Sequence, residues 1–193
     1  LDTVPYDSLT ATMIYYNGLA HFVQEHDSVA LVWFDEAIER NPFLAGPYYY
    51  AGLIKQMQAD WRAAVPYFEA AVKNDNKNAA YLLALADVYQ QLGWSDSTFK
   101  VLQLAVQLPN VPAKAYGTLA EFYRVQGAEK KALDVYYDCL YEANPNSDNY
   151  TTCLYNVGFF ELKANRPQDA ELALRTLLSF APRDYAAIEL LVQ

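Results

Sequence analysis

Long apolar runs and basic clusters are both missing from this sequence. No apolar stretch approaches the about 18–20 residues that a membrane-spanning helix needs, so no membrane span is predicted. The longest basic run is Lys130-Lys131, and the formal net charge of the 193 residues is −9. Because a surface of this charge repels a phosphate backbone, we expect no nucleic acid among the partners.

Cysteine and histidine are scarce, with two residues of each. The spacing of Cys139 and Cys153 matches no metal motif, and we interpret both as buried thiols, with a bridge between them as the alternative. His21 and His26 are five residues apart, which puts them on different faces of a helix. No glycine-rich phosphate loop, nucleophile elbow or Cys/His pair at motif spacing occurs. The sequence therefore predicts no enzyme, no metal site and no cofactor.

A pattern of small and large residues recurs along the chain with a constant period of about 34 residues. Ala64, Phe68 and Ala71 share one helical face because they are four and then three residues apart. The equivalent triples lie one period earlier and one and two periods later, at Ala30, Phe34, Ala37, Thr98, Leu102, Ala105, Ala132, Tyr136 and Cys139. A second set with the same period is Gly18, Gly52, Ala86 and Ala120. Two helices per unit, each with a small residue at their contact, are therefore expected.

The period divides the chain into repeats that we assign to a single domain, 1–193. Their boundaries are 11–44, 45–78, 79–112, 113–146 and 151–184, and turn-forming residues close each unit. Residues 147–150 are an insertion that breaks the period. Residues 185–193 form a partial sixth unit or a capping helix.

These repeats resemble the tetratricopeptide repeat (TPR) family, whose pattern alternates small and aromatic residues over a pair of helices. The fourth unit supplies Tyr116, Leu119, Ala120, Tyr123, Ala132 and Tyr136 to that pattern. The fifth unit is looser, because Glu161 and Leu177 stand where an aromatic residue and an alanine are usual. The resemblance covers about nine-tenths of the chain. It implies an all-α, right-handed α-solenoid of tandem helix-turn-helix repeats.

TPR geometry lines the concave face with side chains from the first helix of each unit. The candidate partner-binding residues on that face are Tyr15, Tyr16, Leu19, Tyr49, Tyr50, Leu53, Asp87, Glu121, Arg124, Tyr155 and Phe159. Tyrosine combines a large contact area with a hydroxyl group, which suits it to anchor a peptide or a protein surface. The resemblance therefore implies a protein–protein interaction scaffold that binds a peptide or protein segment in its concave groove. Packing between neighbouring helices is the alternative interpretation for several of these residues.

The charges on the predicted groove favour one kind of partner. Some TPR adaptors hold acidic chaperone tails with a clamp of basic residues, but Tyr15, Tyr49 and Tyr155 stand at its lysine position. Asp87 and Glu121 would instead favour a partner with Lys or Arg residues, with two solvated acidic side chains on a helix face as the alternative interpretation.

Two other functions remain open from the sequence. One is a self-assembling structural module, with a homo-oligomer formed through the C-terminal helix, where we expect Leu190 or Leu191 to be exposed. The other is a regulatory TPR domain of a larger enzyme or secretion component. The compartment also stays open, with the cytoplasm favoured and the cell envelope as the alternative if a leader was removed.

Overall fold

The computed structural model describes residues 10–145 and 147–192, which form eleven helices and no strand. The helices are α1 (Ala11–Val23), α2 (Asp27–Arg40), α3 (Ala45–Met57), α4 (Trp61–Asn74), α5 (Ala79–Gln91), α6 (Ser95–Ala105), α7 (Ala113–Val125), α8 (Glu129–Glu142), α9 (Asp148–Lys163), α10 (Pro167–Phe180) and α11 (Tyr185–Leu191). Residues 1–9, Asn146 and Gln193 belong to the predicted domain but lie outside the described residues.

The chain divides into two compact units, Leu1–Val101 and Leu102–Gln193. In the first unit each helix from α1 to α4 packs against the next one in the chain. In the second unit the same holds for each helix from α7 to α10. The fold is thus the all-α class of tandem helix-turn-helix repeats that the sequence predicts, while the single domain and its repeat boundaries stay predictions. Helix α9 begins at Asp148, so most of the insertion at 147–150 extends that helix.

Small residues on the first helix of a pair receive a large side chain from the second. A Cβ atom at Gly18 would lie 2.6 Å from Cε1 of Phe34, and one at Gly52 would lie 2.8 Å from Cε1 of Phe68. Both phenylalanine side chains are fully buried. The periodic small residues of the sequence therefore let each pair of helices approach closely.

Polar side chains and a recurring turn define the ends of the helices. At the start of five helices a capping side chain accepts a hydrogen bond from a backbone N–H of the first turn, and the capping residues are Thr10, Asp60, Asn78, Ser147 and Asp184. The turns that follow the first helices contain a residue with positive φ, namely Glu25, Ala59, Gly93, Gly127 and Asn165. The first four follow one another at intervals of one repeat period, so one left-handed turn recurs in successive pairs of helices.

Cys139 and Cys153 are joined by a disulfide, so their interpretation as buried thiols is wrong. Cys139 takes the small-residue position of α8, and α9 brings Cys153 opposite it, with the two Cα atoms 6.1 Å apart. Both side chains are buried. The bond links the fourth predicted repeat to the fifth, across the point where the sequence period breaks.

Glu161 explains why the fifth repeat departs from the family pattern. Its side chain is only 2% exposed. The hydroxyl group of Tyr137 donates a 2.6 Å hydrogen bond to Oε1, and the Arg166 guanidinium pairs with Oε2. The aromatic residue that is usual at this position is thus replaced by a carboxylate that Tyr137 on α8 and Arg166, the residue immediately before α10, both satisfy.

Candidate functional site

Four tyrosine side chains lie next to one another on α1, α3 and α5, which are the first helices of the repeats in the first unit. Helix α1 packs against α3, and α3 packs against α5. We name these four side chains the tyrosine strip, which consists of Tyr15 on α1, Tyr50 and Tyr49 on α3, and Tyr81 on α5. The ring centroids of Tyr15 and Tyr50 are 6.1 Å apart, and those of Tyr50 and Tyr49 are 5.2 Å apart. Those of Tyr49 and Tyr81 are 4.8 Å apart. The four rings therefore form one continuous aromatic surface.

The hydroxyl groups of the tyrosine strip have no hydrogen-bond partner among the described residues. In this part of the chain, the only fully buried side-chain polar atom without a partner is Nδ1 of His21, so the four hydroxyl oxygens keep contact with solvent. Burial of the rings raises the pKa of Tyr15, Tyr49 and Tyr81 above the ordinary value for tyrosine. Neutral pH lies well below even the ordinary pKa of tyrosine, so these hydroxyls are protonated donors that remain available to a ligand.

Phenylalanine rings pack against two members of the strip, Tyr50 and Tyr49. The ring of Tyr50 stacks on Phe34 with centroids 5.9 Å apart and meets Phe22 edge-on at 5.3 Å. The ring of Tyr49 lies 5.9 Å from that of Phe68. These contacts restrict the tyrosine side chains before any ligand arrives, which lowers the entropy cost of binding. They also mean that the strip contributes to the stability of the repeats.

Four of the predicted residues on α1 and α3, namely Tyr15, Tyr16, Leu19 and Leu53, differ in exposure. Tyr15 reaches across to α3, where a Cβ atom at Gly46 would lie 2.7 Å from its Cζ. Leu19 and Leu53 are half-buried and pack against the hydrophobic core. Tyr16 is 62% exposed, with its ring 5.3 Å from that of Tyr15. Of these four predicted residues, Tyr16 is therefore the one most open to a partner.

Asp87 is tied to the neighbouring helix by a hydrogen bond. Nε2 of Gln56 on α3 donates to Oδ2 of Asp87 on α5 at 2.6 Å. Asp87 has no ion pair among the described residues, so its charge is not neutralised locally.

The predicted residues of the second unit include an ion pair. Nε and Nη2 of Arg124 donate to the two carboxylate oxygens of Glu121 at 2.6 and 2.5 Å, and both side chains are exposed. Phe159 is half-buried and carries Nζ of Lys163 4.5 Å from its ring centroid. Tyr155 is half-buried. Because Arg124 engages both oxygens of Glu121, this carboxylate offers little free charge to a basic partner.

Tyr81 is the residue of the strip that sequence reasoning missed. It lies at the start of α5, two residues before Leu83, which occupies the first-helix position equivalent to Tyr15 and Tyr49. The only feature of the sequence that pointed to this residue was its position in the first turn of a helix that neighbours a tyrosine-rich helix. That signal is too common in helical repeats to single out a binding residue.

The TPR fold is shared with solved structures of low sequence identity. Among them is YrrB, a TPR protein with an unusual peptide-binding site, at 20% identity and TM-score 0.65 over 93% of this chain and 90% of that one. The C-terminal part of a TPR repeat-containing protein from Cytophaga hutchinsonii has 16% identity and TM-score 0.73 over 97% of this chain and 76% of that one. MamA from Desulfovibrio magneticus RS-1 has 15% identity and TM-score 0.62 over 90% and 96% of the respective chains.

The identities in these comparisons establish the fold alone. The chain has the TPR fold that the sequence predicts. It matches no model of a known protein family. No curated protein matches it either. Within residues 10–145 and 147–192, no helix combines the length and the apolar character that crossing a membrane would require.

Proposed function

We propose that this protein is an interaction scaffold that binds a peptide or protein segment along the first-helix face of its repeats. The observation that carries the proposal is the tyrosine strip, in which ordered aromatic rings present hydroxyl donors without partners. Buried aromatic contacts usually dominate the binding energy of such interfaces. YrrB, which has the same fold, is a TPR protein with an unusual peptide-binding site, and this supports the proposal. The proposed binding involves no covalent reaction of the partner.

In the second unit the proposed contacts are Tyr155 and Phe159, which are half-buried aromatic residues on α9. The paired side chains of Glu121 and Arg124 would contact a partner as a neutral hydrogen-bonding group. Of the two acidic residues expected to attract a basic partner, Asp87 is the better candidate because it lacks an ion pair. Basic residues in the partner thus remain part of the proposal at Asp87.

A second candidate function is self-association through α11. Leu190 is buried and Leu191 is half-buried, so the expectation that they are exposed is wrong for Leu190. Instead Tyr185, Ile188 and Val192 are exposed and share one side of the helix by their spacing. Sedimentation of the wild type and of Ile188→Lys tests this candidate function. It requires that the wild type forms an oligomer and that the substitution dissociates it.

Selection of binding peptides from a random library tests the scaffold proposal. The affinity of a selected peptide is then measured for the wild type, for Tyr16→Ala and for Val32→Ala. Tyr16 and Val32 are both well exposed, at 62% and 69%, but Val32 lies on the second helix α2. We expect Tyr16→Ala to weaken binding by about 30-fold, the effect of losing one dominant aromatic anchor, and Val32→Ala to have no effect. The reverse pattern would place the partner on the second-helix face and contradict the proposal.

A further inference from the structure

The tyrosine strip has the chemistry to select a particular class of peptide. We propose that it binds an uncharged, proline-rich segment in the extended polyproline II conformation. This inference rests on the proposed scaffold function and names the ligand of its first unit.

The first step concerns hydrogen bonding. Proline has no backbone N–H, so a proline-rich segment carries carbonyl acceptors that find no donor within the segment itself. The strip offers the complementary groups, because its four hydroxyls have no partner among the described residues. Those of Tyr15, Tyr49 and Tyr81 are protonated at neutral pH, because burial raises their pKa further above the ordinary value for tyrosine, which itself lies well above neutral. Donors on one surface thus meet acceptors on the other.

The second step concerns charge. No charged side chain belongs to the strip, although the whole chain has a formal net charge of −9. A carboxylate-bearing segment would be repelled by the overall charge, and the rings themselves form no ion pair with any ligand. A segment without charge on the part that contacts the rings avoids this repulsion, and a basic residue beside that part stays compatible with Asp87.

The third step concerns shape. The planes of neighbouring rings are inclined by 48° for Tyr15 and Tyr50, 80° for Tyr49 and Tyr50, and 40° for Tyr49 and Tyr81. Surfaces lined by several aromatic rings are the sites on which proline-rich segments dock in other proteins. The three successive centroid distances limit the strip to at most about 16 Å from Tyr15 to Tyr81. About five residues of polyproline II cover that distance at about 3.1 Å per residue.

The fourth step concerns entropy. A polyproline II segment is largely ordered before it binds, so it loses little conformational freedom on a surface without charge pairs. The rings of Tyr49 and Tyr50 are likewise held by Phe68 and Phe34. Two ordered surfaces can bind through modest contacts that would not hold a flexible peptide.

The test uses a fluorescein-labelled, end-capped peptide of about ten prolines, with a Gly-Ser peptide of equal length as the control. Fluorescence anisotropy measures binding of both to the wild type and to the triple variant Tyr15→Phe, Tyr49→Phe, Tyr81→Phe. Phenylalanine keeps the rings and their packing but removes the hydroxyl donors, and thermal unfolding followed by circular dichroism verifies that the variant is folded. We expect the proline peptide to bind at least tenfold more tightly than the control. We also expect the triple variant to lose about fivefold in affinity for each hydroxyl that the peptide uses.

Two results would overturn the inference: equal binding of the two peptides to the wild type, or undiminished binding of the proline peptide to the folded triple variant. The library selection separates this failure from that of the scaffold proposal. Proline-free peptides that lose affinity for Tyr16→Ala would leave the scaffold intact and remove the ligand class. The scaffold proposal itself fails if neither the proline peptide nor any selected peptide depends on Tyr16.

Discussion

The ring of Phe68 lies directly against the backbone of Gly52, and a Cβ atom added to this glycine would stand 2.8 Å from Cε1 of the ring. Phe68 is fully buried and also packs among Leu85, Val88 and Tyr89. The ring therefore has no room to move away, and the contact joins the two helices of one repeat to the repeat that follows.

Gly52→Ala should accordingly destabilise the protein by about 1–3 kcal/mol through overpacking. Gly117 is the matched control, because it is also within a first helix but its added Cβ would meet only Oη of Tyr136, at 3.6 Å. Gly117→Ala should stabilise by about 0.5–1 kcal/mol, since alanine favours the helix. Chemical denaturation of both variants measures the difference. Similar changes in the two would show that the helix contact at Gly52 is not as close as described.

The recurring left-handed turn gives a second prediction. Ala59 has φ of 57°, whereas Gly93, at the equivalent position of the next repeat, has φ of 72°. Ala59→Gly should stabilise by about 1 kcal/mol because it removes the steric cost of a left-handed side chain. The reciprocal change Gly93→Ala should destabilise by a similar amount, and no atom lies within 4 Å of the new Cβ to confuse the result. Thermal unfolding measures both, and changes of the same sign would contradict the shared turn geometry.

The fold could be read from the sequence because its determinants are local and periodic. Gly18 recurs as Gly52 one period later, and Phe34 recurs as Phe68 in the same way, while a helix places residues three and four apart on one face. The disulfide could not be read, since the spacing of Cys139 and Cys153 alone does not bring them together. The partners of Glu161 and the free hydroxyls of the tyrosine strip depend equally on side-chain geometry. The candidate binding residues therefore stay predictions, while the fold is established.

Reduction of the Cys139–Cys153 bond should destabilise the second unit. Closing a loop with a sequence separation of 14 residues is worth about 3 kcal/mol in the chain-entropy account. Hydrogen exchange before and after reduction should show faster exchange in α8 and α9 while α1 to α4 remain protected. Cys139→Ala with Cys153→Ala serves as the control that no reductant affects. If this double variant is as stable as the oxidised wild type, the bond has no stabilising role.

Alkaline pH should reveal the hydrogen bond between Tyr137 and Glu161. Tyr137 is 43% exposed, and the partial burial of its ring together with this hydrogen bond raises its pKa to about 12, from 10.0 in the ordinary case. The folded protein thus holds the proton more tightly than the unfolded chain, so this contribution to stability is complete below pH 10 and declines as the pH rises towards 12. Tyr137→Phe should have a flatter stability profile above about pH 10 than the exposed control Tyr185→Phe. Parallel profiles for the two variants would exclude the effect.

Asp87 provides the test of whether the partner carries basic residues. Its carboxylate accepts a hydrogen bond from Gln56 but has no ion pair among the described residues, so it can attract Lys or Arg. We expect an arginine added to one end of the proline peptide to increase affinity for the wild type, and the gain to shrink between about 50 mM and 300 mM salt as the charges are screened. Asp87→Asn keeps an oxygen acceptor for Gln56 and removes the charge, so the gain should disappear.

Glu121→Gln is the control for Asp87→Asn, because Arg124 already engages both oxygens of that carboxylate. It should leave the gain from arginine unchanged. Anisotropy titrations with arginine at either end of the peptide, at both salt concentrations, measure the effect whichever way the peptide runs across the strip. If arginine gives no gain at either end, or if Asp87→Asn keeps the full gain, then Asp87 acts only through its hydrogen bond to Gln56 and the partner needs no basic residue at this position.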